Sequence, residues 1–233
     1  AAHTGAAPVV ATVTVTPSAN GCTGTSRNFT ITVNPTPTVN TVSNQTNCNE
    51  TLTNAVILSG PVAGTTYSWT NNTTSIGLHA SGTNTIPAFA AVNAGTAPVI
   101  ATITVAPTAN GCTGPTSTYT YTVNPTATVN TLASQALCNG SLTSAIAFGS
   151  PVAGTTYSWT NSNTTMGLAT SGSGNIASFA GINTTTAPEE AIITVTPTAN
   201  ACVGIGRTFT ITVNPTPVLT STFTPAAICD NNT

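Results

Sequence analysis

The stretch Pro61-Val-Ala-Gly-Thr-Thr-Tyr-Ser-Trp-Thr-Asn71 returns unchanged as Pro151 to Asn161, an offset of 90 residues (151 − 61). A chain that repeats a stretch at a fixed period folds as successive copies of one unit, and a period this long suits beads on a string better than a solenoid. Each copy carries one of the two tryptophans, Trp69 or Trp159, two residues after Tyr67 or Tyr157. In an extended strand, residues two apart share a face. Each Tyr–Trp pair is therefore expected to anchor a core.

Other markers keep the same period. Ala19-Asn-Gly-Cys22 matches Ala109-Asn-Gly-Cys112 and Ala199-Asn-Ala-Cys202, and Thr32-Val-Asn-Pro-Thr36 matches Thr122 to Thr126 and Thr212 to Thr216. They divide the 233 residues into 1–37, the C-terminal part of a module, then 38–127 and 128–217, two complete modules, and 218–233, the start of a further one. The two partial ends are together shorter than one period, so the expectation is a segment of a longer protein. A module of about 90 residues can bury a core of its own, though a small one.

Within a module the pattern is that of strands. Ala101-Thr-Ile-Thr-Val105 alternates apolar and polar, placing Ile103 and Val105 on one face. Thr118 to Val123 does the same with Tyr119, Tyr121 and Val123, and its counterparts are Phe29, Ile31 and Val33, then Phe209, Ile211 and Val213. Asn110-Gly111 between these runs signals a hairpin, because both residues accept positive φ. Thr65 to Asn71 is a third strand. Ala55 to Leu58, continuously apolar, is expected as a central strand, and Thr85 to Val92 as an edge or bulged strand because of Pro87. No helical period survives the Thr, Gly and Pro content. About seven strands per module predict an all-β fold of tandem immunoglobulin-like β-sandwiches. The proline-bearing boundaries at Pro35, Pro37, Pro125, Pro215 and Pro217 predict stiff, extended connections.

Charge narrows the partners. Only 3% of residues are charged, there is no lysine, and the cations are Arg27 and Arg207. Such a chain cannot neutralise a run of phosphates, which argues against nucleic acid, and it offers no basic patch to an anionic membrane. No apolar run approaches the ~20 residues of a membrane span. A neutral Thr/Asn/Ser surface lacks the repulsion that keeps proteins apart, so copies of the chain, or neighbouring modules, are the expected partners.

Six cysteines alternate between two kinds. Cys48, Cys138 and Cys229 come early in a module; Cys22, Cys112 and Cys202 come late, in the hairpin. The regularity points to disulfides and an oxidising, extracellular setting. Pairing inside modules, Cys48–Cys112 and Cys138–Cys202, closes loops of about 65 residues, worth about 4 kcal/mol on the chain-entropy model. It sends Cys22 and Cys229 to partners elsewhere. Pairing across linkers, Cys22–Cys48, Cys112–Cys138 and Cys202–Cys229, uses all six. Connectivity stays open at the level of sequence, with pairing inside modules as the expectation carried forward. No CxxC or nearby His completes a zinc site.

The motifs Tyr67-Ser-Trp69, Thr73 to Leu78, Thr108 to Thr113, Val123-Asn-Pro125 and Ser43 to Cys48 together resemble the PKD-like repeats of very large surface and secreted proteins of Bacteroidetes. The resemblance spans the chain. It implies tandem sandwiches, export by a type IX route and a role as adhesin, gliding-type filament or spacer. The Trp-Asp-Phe-Gly-Asp-Gly signature of better-known PKD domains is missing, and the family supplies no catalytic residue.

Candidate chemistry is sparse. His3 and His79 have no counterparts one period away. Glu189 and Glu190 are adjacent and point to opposite sides of a strand, which cannot serve as a glycosidase pair. A calcium site of clustered carboxylates has too few acids, and no serine or threonine has a base beside it. The expectation is no enzyme and no cofactor. Trp69 and Trp159 could stack on sugars, which makes a surface glycan the alternative partner, but a core role is expected. Sequons at Asn28, Asn44, Asn72 and Asn163 arise readily in a chain this rich in Asn and Thr.

Overall fold

The computed structural model describes residues 3–221, and the chain divides into two compact units, residues 1–126 and 127–233. The expected start of a further module at 218–233 lies, from residue 222 on, outside the described residues.

The first unit opens with β1 (Val9–Val15), the short β2 (Ser18–Ala19) and β3 (Cys22–Thr23), and β4 (Arg27–Val33). β1 and β4 form an antiparallel pair with Val13 opposite Phe29. A complete module follows: β5 (Gln45–Cys48), β6 (Val56–Ile57), β7 (Thr66–Asn71), β8 (Ser81–Thr83), β9 (Thr85–Ile86), β10 (Val99–Ala109), β11 (Cys112–Thr113) and β12 (Ser117–Asn124). Its main sheet runs β5-β12-β10-β7-β8, with β11 folded back on β10 and a small β6–β9 pair apart from it. The second unit repeats the plan with β13 (Gln135–Cys138), β14 (Thr156–Asn161), β15 (Ser171–Ser173), β16 (Glu189–Ala199), β17 (Cys202–Val203) and β18 (Arg207–Asn214), in the order β13-β18-β16-β14-β15. In the described residues of that unit the small second sheet is reduced to the isolated bridges Leu142–Ala180 and Ile146–Ile176. The architecture is all-β, with tandem immunoglobulin-like sandwich modules.

Alternation decides the faces. β10 reads intermediate or exposed at one residue and buried at the next, with Ile103 and Val105 fully inside, and β12 does the same with Tyr119, Tyr121 and Val123. Ile76, Leu78, Ile86 and Phe89 close the core from the other side. Across the sheet, Trp69 faces Gly82 in register, and a Cβ built on Gly82 would run into the indole ring. The glycine lets the indole lie against the strand, and Gly172 does the same for Trp159.

Two strand expectations need correction. Ala55–Leu58 is not a central strand: only Val56–Ile57 is extended, paired to β9, and Ile57 is 79% exposed. Thr85–Val92 yields only Thr85–Ile86, since Pro87 has no N–H to continue the ladder. The central positions belong to β10 and β12, whose longer runs make more ladder bonds.

Buried asparagines pin the loops. Asn93 donates from Nδ2 to the carbonyls of Ala97 and Val123, and its Oδ1 accepts from Gly95 N–H. Asn183 donates likewise to Ala187 and Val213. Asn71 and Asn161 close the turns after β7 and β14 in the same way. Loop backbone needs such partners when it is taken out of water.

Candidate functional site

The aromatic candidates are inside. Tyr67 and Trp69 are about 5% and 3% exposed, and Trp159 about 7%. Tyr157 is half-buried, its ring tilted against Phe148 at 5.5 Å. Trp69 Nε1 donates to the Thr85 carbonyl at 3.2 Å, whereas Trp159 Nε1 is buried without a partner. Tyr67, Trp69 and Trp159 are buried too deeply to offer an open stacking face.

The ionisable candidates are scattered. His79 is exposed and His3 bonds locally to the Ala7 carbonyl. Glu189 and Glu190 stand at the start of β16, and Glu189 accepts from Thr165 Oγ1 at 3.1 Å. Among the described residues no three His, Cys, Asp or Glu come together as a metal site. Of the sequon asparagines, Asn28 is exposed on β4, while Asn44, Asn72 and Asn163 use Oδ1 to accept from backbone N–H groups of Thr120, Thr102 and Thr165.

The features that repeat lie at the ends of the sheets. At one end β5 runs parallel to β12, with Cys48 opposite Asn124; β13 and β18 place Cys138 opposite Asn214. At the other end, Asn110-Gly111 turns the chain at positive φ into β11, where Cys112 pairs with Ala109. Cys202 pairs with Ala199 in the same place.

This geometry corrects the disulfide expectation. Cys48 and Cys202 are disulfide-bonded, whereas Cys22, Cys112 and Cys138 are free thiols, so neither Cys48–Cys112 nor Cys138–Cys202 forms. The reason is the length of β10. Cys48 lies beside its Val99 end and Cys112 beside its Ala109 end, ten residue steps apart. At about 3.4 Å per residue the separation is roughly 34 Å, against the ~7 Å Cα limit of a disulfide. Of the cross-linker pairs, Cys22–Cys48 and Cys112–Cys138 are also excluded by the free thiols. Cys229 lies outside the described residues.

The hairpin end also receives chain from upstream. In the first unit, Asn34 donates from Nδ2 to the Asn110 carbonyl at 3.1 Å, and Pro35 and Pro37 are buried. A Cβ on Gly114 would strike the Pro37 carbonyl, so glycine is what admits the linker there. In the second unit Gly204 stands in the same relation to the Ala127 carbonyl, and Ala127 is buried with Val152 and Ala199. Sequence reading located these hairpins but gave them no role; Gly114 and Gly204, two residues after each late cysteine, were the available signal.

A family model described as a PKD-like domain matches residues 135–217. Solved structures that resemble the chain include two immunoglobulin domains of DIP-gamma, at 7% identity and TM-score 0.42, over 78% of this chain and 98% of that one. Cadherin domains 3–6 of protocadherin gamma B2 match at 14% identity and TM-score 0.43, over 91% and 60%. Immunoglobulin domains 1–4 of Sidekick-1 match at 13% and 0.41, over 76% and 48%. No curated protein matches the sequence. The fold, with the family match over residues 135–217, is that of immunoglobulin-like repeat domains. Among the described residues no helix is long and apolar enough to cross a membrane.

Proposed function

We propose that this chain is a load-bearing segment of an extracellular fibre, filament or adhesin stalk of a bacterial surface, built from repeated sandwich modules and performing no catalysis. The observation that carries the reading is repetition: the Tyr–Trp anchor, the glycine beneath it, the asparagine loop pins and the end-to-end cysteine pattern all recur at one period. In each complete module the aromatic anchors are spent on the core, which disfavours a glycan-stacking role. The main sheet carries its longest strands in the middle, so unfolding a module by its ends has to break the β10–β12 or β16–β18 ladders.

Two measurements test this. Antibodies against residues 38–217 should label thin appendages on intact, unpermeabilised cells; labelling confined to the cytoplasm would refute the extracellular role. Pulled from its ends under reducing conditions, the chain should unfold in two main steps of about 30 nm each, taking ~3.5 Å per extended residue. A single gradual extension would refute the modular, load-bearing role.

A further inference from the structure

The chain enters the 38–127 module at its hairpin end, where the Pro37 carbonyl lies against Gly114, and leaves it at the far end of β12, after Asn124. Between these points it runs along β5, parallel to β12. A pull on the two ends of the module therefore draws β5 back toward its start and β12 forward toward its finish. Parallel strands loaded this way slide along each other, so the evenly spaced bonds between them are stressed together instead of opening one at a time. The 128–217 module repeats the arrangement, from the Ala127 carbonyl against Gly204 to Asn214 at the end of β18.

Little in β5 itself opposes that slide. It pairs over four residues, and Gln45-Thr-Asn-Cys48 has no apolar alternation to fix its register. A strand polar on both faces is prone to slip. Asn47, opposite the buried Val123, even buries its Oδ1 without a partner. What holds the strand is Gln45. Its Oε1 accepts from the Asn54 N–H at 3.0 Å and its Nε2 donates to the Asn54 carbonyl at 3.1 Å, a two-bond clasp onto the segment leading into β6. The same Nε2 donates to Tyr121 Oη at 3.4 Å, on the residue opposite in β12. Gln135 makes the same clasp on Ser144, at 2.8 and 3.0 Å. The clasped residue differs between the modules, as suits a contact made only to backbone. A slide of two residues along β12, the smallest that keeps the faces, would carry the amide about 7 Å and break both bonds.

We propose that Gln45 and Gln135 are register locks: each amide clasp ties the first strand of its module across to the small second sheet and stops it sliding along the last strand under tension. This deepens the structural reading above and rests on it. The two locks differ in their backing. Leu137 stands where β5 has Asn47 and packs against the core of its module, so β13 has an apolar hold of its own and depends less on its glutamine. Both clasps lie at the surface, so in the resting fold water serves Asn54 or Ser144 once the amide is gone. Their loss is felt under tension far more than at rest.

The test holds the reduced 233-residue chain by its ends at constant force and follows its unfolding steps, beside unfolding in urea without force. Gln45→Leu keeps the bulk and removes the clasp. It should make one step about tenfold faster under force, as the loss of two ordinary hydrogen bonds implies. In urea its unfolding rate should stay within about twofold of the unaltered chain, as for a surface substitution. Gln135→Leu should speed the other step by less. Gln45→Glu, which still accepts from Asn54 but cannot donate, should fall between Gln45→Leu and the unaltered chain. Thr66→Val removes an equally exposed bond to the Thr108 carbonyl, off the line of pull, and should change neither rate. Unchanged forced unfolding in Gln45→Leu, an equal acceleration in urea, or an equal effect of Thr66→Val would each overturn the lock, while two clean steps left the modular reading standing. A gradual extension of the unaltered chain would end both.

Discussion

The two complete modules share the strand Thr66–Asn71 letter for letter with Thr156–Asn161, yet they surround it differently. In residues 38–127 the sheet behind Trp69 presents Tyr119 and Tyr121, with Tyr121 edge-on to Phe89 at 5.2 Å and to Tyr119 at 5.6 Å. In residues 128–217 the same positions are Phe209 and Ile211, and Phe148 replaces Leu58 to fill the space against Tyr157. The first arrangement buries Tyr67 to 5% exposure and gives the indole N–H a carbonyl; the second leaves Tyr157 half-buried and the indole N–H unpartnered. One backbone plan thus accepts two cores, because the fold demands apolar volume on the inward face more than particular side chains. The polar pins at Asn71, Asn93, Asn161 and Asn183 do not vary, since each satisfies several buried backbone groups that no apolar residue could serve.

The largest effect should come from removing the shared anchor. Trp69→Ala and Trp159→Ala should each cost about 4 kcal/mol in their own module, read by hydrogen exchange of peptides from each. Equal weakening of both modules by either variant would show that the cores are not independent.

Alkaline pH should separate the modules next. Burial pushes the phenols of Tyr119 and Tyr121 above their ordinary value. A raised folded-state pKa means the folded module holds protons the unfolded chain has released, so stability is intact below about pH 10 and falls above it, by up to ~1.4 kcal/mol per pH unit for each such group. The 128–217 module has Phe209 and Ile211 there, and only Tyr157 is raised by burial. Urea midpoints at pH 9 and pH 11.5, followed by Trp69 alone in Trp159→Phe and by Trp159 alone in Trp69→Phe, should drop further for the first module.

Exchanging the tyrosine sharpens the contrast. Tyr121→Ile loses both edge contacts and should cost about 2 kcal/mol, while Ile211→Tyr overfills its site by a similar amount. A neutral outcome for both would mean that the cores are interchangeable at this position. The tryptophan N–H gives a smaller difference: Trp69→Phe should cost about 1 kcal/mol more than Trp159→Phe, because it alone loses a hydrogen bond. Smallest is the hairpin. Ala201 sits at φ 62 where the other hairpins have glycine, so Ala201→Gly should stabilise its module by about 0.5–1 kcal/mol, seen as a raised melting temperature.

By itself the sequence determined the period, the all-β class, the inward face of β10 and β12, the turns at Asn110-Gly111 and the burial expected of Trp69. These follow from spacing and local conformational preference, which neighbouring residues carry. The disulfide plan and the role of the hairpin ends were decided by tertiary structure alone. A cysteine early in a module and one late in it look like natural partners in one dimension. Parallel pairing of β5 on β12 and the eleven-residue length of β10 put them at opposite ends of the sheet. Strand order and direction are long-range choices made by packing, so no local pattern could reveal that Cys48 and Cys112 lie at opposite ends of the sheet, or that Gly114 is kept small to admit Pro37.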